Sequence, residues 1–164
     1  MGSSGLQIDE SESFQRKEAR FERVGWAGMA ALLVVALLGV LGGAGPVTSA
    51  QASAGPMSVD YPRFARYTAR NDLTITLGAA GVREGRAVLT LESSWVNDVD
   101  IEHVTPDPEV WRVGRDGLRL VIAADAAPVV VHVTYRPDRI GPVDATVTAE
   151  ATGSRVVFDQ FVYP

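Results

Sequence analysis

An all-β sandwich held behind a single membrane-spanning helix is the architecture this sequence predicts. Three observations carry it. An uninterrupted apolar run, Val24–Leu41, has basic residues close by on its N-terminal side alone. Beyond residue 57 the apolar residues recur with a period of two. No stretch between those alternating runs has the helical period of a crossover helix, so antiparallel pairing is expected.

Residues 1–22 are polar and rich in Ser and Glu, with too few apolar side chains for a core. They are expected to form a cytoplasmic tail, Phe14–Arg23 extending the next helix as an amphipathic lead-in. No charge falls between Val24 and Val59, although charges are dense on both sides. As a helix, Val24–Leu41 is about 27 Å long, close to a hydrocarbon core of roughly 30 Å. Each central Leu or Val favours insertion by about 0.3–0.6 kcal/mol, whereas one central charge costs about 2.5–3.5 kcal/mol. The transmembrane helix is therefore set at residues 23–45.

Arg16, Lys17, Arg20 and Arg23 precede this span, and the next positive residue is Arg63. The positive-inside bias puts the N-terminus in the cytoplasm and the C-terminal domain outside, in a single-pass protein of the cell membrane. Trp26 falls at the cytoplasmic interface. The alternative is a secreted envelope-binding domain released by signal peptidase after Ala52, since Ala50-Gln-Ala52 has the small-x-small pattern of such a site. The apolar run and its charged leader are long for a signal peptide, which favours a retained anchor.

Residues 46–56, rich in Gly, Ala, Ser and Pro, read as a flexible tether. Residues 57–164 form the folded domain. Leu73, Ile75 and Leu77 alternate with Thr74 and Thr76, and Ala87, Leu89 and Leu91 with Val88, Thr90 and Glu92. Leu118, Leu120 and Ile122 follow the same period, as do Val129, Val131, Val133 and Tyr135 and then Val143, Ala145, Val147 and Ala149. Each run is a strand with one buried face, and Gly or Pro clusters at 81–85, 106–108, 114–117, 137–142 and 153 separate them. Seven or eight short strands predict an immunoglobulin-like antiparallel β-sandwich, with a small barrel as the alternative. The Cys–Trp–Cys pattern of antibody domains is absent, and Trp95 or Trp111 is the candidate core tryptophan.

Composition narrows the chemistry. The chain of 164 residues has no cysteine, which excludes disulfides, thiolate metal sites and a cysteine nucleophile. A net charge of −5 without clustered lysine argues against nucleic-acid binding. His103 and His132, the two histidines, would have to meet a carboxylate to hold a metal, and His132 is expected on an outer strand face. Asp98, Asp100 and Glu102 alternate, but lack the glycine turn and downstream glutamate of a calcium loop. Ser93, Ser94 and Ser154 have no nucleophile-elbow context, and the glycines at 81–85 lack the lysine and helix of a phosphate loop. No catalytic activity, cofactor, metal or small-molecule substrate is expected.

Two segments point to contact instead. Arg63-Phe-Ala-Arg-Tyr-Thr-Ala-Arg70 interleaves arginines with aromatics, a pattern suited to anionic lipid headgroups or an acidic partner, or to an ordinary first strand with arginines in solvent. Val156–Tyr163 carries apolar residues on both faces, as in a strand buried on both sides; if one face is open, it is a docking surface. The candidate partner-binding residues are Arg63, Phe64, Arg66, Tyr67, Arg70, Phe161 and Tyr163. Gly39-x-x-x-Gly43 offers a close-packing surface within the span.

Phe21-Glu-Arg-Val-Gly-Trp26, Tyr61-Pro-Arg-Phe-Ala-Arg-Tyr67 and Gln160-Phe-Val-Tyr-Pro164 resemble a group of uncharacterised bacterial single-span membrane proteins with an extracytoplasmic immunoglobulin-like domain. The resemblance spans nearly the whole chain. It implies the same architecture and a role beside another integral membrane or envelope protein, and it assigns no functional residue.

Overall fold

The computed structural model describes residues 12–37 and 48–164. Helix α1 runs Glu12–Leu37, so the lead-in at Phe14–Arg23 is helical and continuous with the apolar run. The described side chains between Arg23 and Val34 are exposed, Leu32, Leu33 and Val34 among them. Among the described residues no helix is long and apolar enough to cross a membrane. The apolar run is described only as far as Leu37; its remainder, residues 38–41, and the first part of the tail lie outside the described residues.

The sandwich is built from strands β1 (Ser49–Ala54), β2 (Met57–Pro62), β3 (Phe64–Arg66), β4 (Asn71–Leu77), β5 (Val82–Arg83) and β6 (Arg86–Glu92). A short helix α2 (Ser93–Val96) follows, then β7 (Val99–Thr105), β8 (Val110–Gly114), β9 (Gly117–Ala123), β10 (Val129–Pro137), β11 (Gly141–Ala149) and β12 (Ser154–Tyr163). One sheet has the order β1-β2-β4-β10-β7 and the other β3-β12-β11-β6-β9-β8, with β5 on β6. Every pairing is antiparallel except β3 with β12, which is parallel. A parallel pair needs a long connection, and here the whole domain supplies it.

Alternation does the packing. Leu73, Ile75 and Leu77 of β4, Leu89 and Leu91 of β6, Leu120 and Ile122 of β9, and Val131, Val133 and Tyr135 of β10 are all buried between the sheets. The core tryptophan is Trp95, carried by α2, whose indole meets the Tyr135 ring edge-on at 5.0 Å. Trp111, on edge strand β8, is exposed.

The tether at 46–56 is corrected from residue 49 onward. Ser49–Ala54 forms an edge strand in full register with β2, from Ser49 opposite Pro62 to Ala54 opposite Met57. Ala52 and Ala54 pack against the core. Small side chains made this stretch read as a linker; what holds it is a backbone ladder, which composition does not report.

Candidate functional site

Pro62 ends β2 in one sheet and Phe64 begins β3 in the other, so Arg63 is the point where the chain changes layer. Its N–H donates to the Thr48 carbonyl at 2.7 Å, and its own carbonyl accepts from the Phe161 N–H at 2.9 Å. The register then sets Phe64 beside Phe161, Ala65 beside Val162 and Arg66 beside Tyr163. Ala65 and Val162 are fully buried, so the pleat turns Phe64, Arg66, Phe161 and Tyr163 outward. Phe64 is 50% and Phe161 48% exposed, which leaves about half of each ring without a protein neighbour. Tyr67 follows on the same edge, its N–H donating to the Tyr163 carbonyl at 2.7 Å.

Six of the seven candidate contact residues thus gather on one sheet edge. Arg70 does not join them. Thr68 adopts φ of 57°, which turns the chain out of β3 toward β4, and the Arg70 guanidinium pairs with Glu102 of β7 at 3.0 Å. Arg63 and Arg66 are exposed, and among the described residues no carboxylate pairs with either.

The C-terminal strand is buried on one face only. Val156, Phe158, Gln160 and Val162 face the core, while Val157, Asp159, Phe161 and Tyr163 face out. Burial on both sides is therefore not what the fold provides. Gln160 is a polar side chain in an inward register position, and it holds the edge from beneath. Its Nε2 donates to the Pro62 carbonyl and to the Tyr135 hydroxyl, both at 2.6 Å, while its Oε1 is buried with no partner among the described residues. Burial pushes the Tyr135 phenol well up from its ordinary value, against the lowering effect of the Gln160 bond. Tyr61 closes the interior side, stacked on Phe158 at 4.2 Å.

The other sequence candidates settle elsewhere. His132 and His103 lie on neighbouring strands β10 and β7, each exposed, with the Thr74 hydroxyl 3.1 Å from His132 Nδ1. Asp72 accepts from Thr134, Glu102 is shared by Arg70 and Arg136, and Asp98 pairs with Arg139. Among the described residues no three His, Asp or Glu side chains converge on a metal position. On the outer face of the second sheet Arg119 makes a two-pronged bond to Glu150 at 2.7 Å, which lowers the Glu150 pKa. Glu92 is held low first by the Thr146 hydroxyl and then by Arg155.

The site is thus an exposed arginine–aromatic edge on a two-sheet all-β sandwich. No protein-family model matches the chain, and no curated protein matches it. Among solved structures, the crystal structure of the PmoD soluble domain from Methylocystis sp. ATCC 49242 (Rockwell) is similar at a TM-score of 0.36 and 14% identity, covering 69% of this chain and 97% of that one. A likeness of that size transfers no function.

Proposed function

We propose that this chain is a single-span, membrane-anchored protein that presents an immunoglobulin-like sandwich outside the cytoplasm as a binding or accessory module for a membrane or envelope protein. The observation that carries the reading is the placement of the arginine–aromatic edge against Thr48, the residue through which the sandwich joins the helix side of the chain. A contact surface at that end works at membrane level.

Other features support the parts of the reading. The order β2-β4-β10-β7 opposite β12-β11-β6 corresponds to the four-plus-three arrangement of immunoglobulin sandwiches. The exposed apolar side chains of α1 and the arginines before them suit insertion with the N-terminus inside. Cleavage after Ala52 would remove Ser49–Ala52, four residues of a paired strand, which weighs against the secreted alternative.

Photo-crosslinking in intact membranes tests the function. A membrane or envelope protein captured reproducibly from positions on the sandwich is the expected result. Recovery of the chain only from the soluble fraction, with a mass beginning at Ser53, would replace this reading with the secreted one.

A further inference from the structure

We propose that the edge formed by β3 and the end of β12 seats on the anionic phosphate headgroups of the membrane surface, and that this contact sets which way the sandwich stands. The inference rests on the membrane-anchored part of that reading and reassigns its contact surface: lipid takes the edge, and a protein partner is met on the remaining faces.

The chain itself limits how far this edge can move. Residues 38–47 separate the last described residue of α1 from Thr48, and even fully extended the eleven steps from Leu37 to Thr48 span at most about 40 Å. Thr48 is hydrogen-bonded to Arg63, so this edge adjoins the residue through which the tether enters the sandwich, and the far end does not. Covalent tethering of that kind gives an effective concentration in the millimolar range, enough for a surface that is weak on its own.

Chemistry favours a headgroup plane as the occupant. Arg63 and Arg66 have no carboxylate partner among the described residues, and a guanidinium binds phosphate oxygens through paired donors. Phe64, Phe161 and Tyr163 stand beside them, half exposed, and aromatic rings are favoured at the boundary between headgroups and acyl chains. The opposite charge bears on one of the two arginines. Asp144 and Asp159 face each other across β11 and β12 on the outer face, and Asp159 lines the same surface hollow as Arg63. Arg66 stands opposite Tyr163, four residues or roughly 13 Å from Asp159 along the strand, which exceeds a Debye length of about 8 Å. An anionic plane is therefore attracted most at Arg66 and the last residues of β12 and repelled by the broad face, which stands β12 on its C-terminal end.

The absence of cysteine makes the test direct. Tyr163→Cys places one thiol at the edge, and Thr152→Cys places one at the β11–β12 turn, roughly 30 Å away along β12. The full chain carrying either is reconstituted into vesicles of phosphatidylcholine, with or without phosphatidylglycerol, and labelled with a membrane-impermeant maleimide. One arginine at an anionic surface shifts the seated population by roughly fivefold and two by at most about thirtyfold, part of which Asp159 beside Arg63 offsets. Labelling of Tyr163→Cys is expected to slow by about fivefold or more in the anionic vesicles, with Thr152→Cys unchanged. Added salt, or Arg63→Glu with Arg66→Glu, restores the fast rate. Equal rates in both vesicle types would overturn the proposal, as would protection seen in native membranes but in no protein-free vesicle, which assigns the edge to a protein. Flotation separates the two readings: a chain that does not float with phosphatidylcholine vesicles has no anchor, and the edge then stands or falls on whether anionic vesicles float it.

Discussion

Phe64 and Phe161, 97 positions apart in the chain, lie opposite one another across the parallel pairing of β3 with β12, both on the outer face of their sheet. A cross-strand aromatic pair is worth about 0.2–1 kcal/mol. Phe64→Ala, Phe161→Ala and the double variant should show a coupling of that size in urea unfolding. Additive effects would mean that the rings do not act as a pair.

Gln160 joins β12 to β2 and β10 through one amide nitrogen. Gln160→Leu leaves the Pro62 carbonyl and the Tyr135 hydroxyl without that donor, an expected loss of about 1–3 kcal/mol. Thermal unfolding should fall by about 5 °C or more. Combining it with Tyr135→Phe should cost less than the two losses summed, because both remove the same bond.

Tyr135 gives the fold an alkaline limit. Its phenol is raised in the folded state above the ordinary value of 10.0, chiefly by burial. The folded chain therefore keeps a proton that the unfolded chain releases. This stability is complete below pH 10 and declines as pH rises from there toward the folded value, by about 1.4 kcal/mol per pH unit. In Tyr135→Phe that component of the alkaline slope should vanish, as urea midpoints on either side of pH 10 would read.

Glu150 works in the opposite sense. Arg119 holds its carboxyl below the ordinary range, so its contribution is present above the unfolded carboxylate value and lost as pH falls through the folded one. Both groups are largely exposed to solvent, which keeps the contribution under about 1 kcal/mol. Glu150→Gln should flatten the acid side of the stability profile by no more than that, measured at low ionic strength.

Gly117 opens β9 with φ of 128°, and a Cβ there would fall 1.9 Å from the Leu91 carbonyl oxygen. Gly117→Ala should destabilise by more than about 3 kcal/mol, strain and collision acting together. Gly153, at φ of 68°, has open space around it, so Gly153→Ala should cost only the conformational part, about 1–2 kcal/mol. The gap between the two in a thermal shift measurement separates collision from strain.

The core strands were legible because one face of each is buried: the residues alternating at 73–77, 87–91, 118–122, 129–135 and 143–149 are those that pack between the sheets. β1 was hidden by its small side chains, and β8 because its residues are all exposed and leave no alternating imprint. Both segments of the contact edge could be picked out separately by their aromatics and arginines. Their meeting could not, since a parallel pairing between residues 64 and 161 has no local period. Arg70 is close to the edge residues in sequence and apart from them in space, because the backbone turn at Thr68 sends it toward the other sheet. Gln160 left a trace in the chain, as a lone amide among the inward positions Val156, Phe158 and Val162, and that trace marked a brace for the edge.

Because β3 runs alongside the end of β12, Thr48 and Tyr163 come out at the same corner of the sandwich. Any cargo appended after Pro164 would emerge there, in the space between the domain and whatever lies below it. A bulky fluorescent or enzymatic label at that position would act as a wedge, whereas the same label inserted at the 151–153 turn would ride on the opposite pole and leave the corner clear.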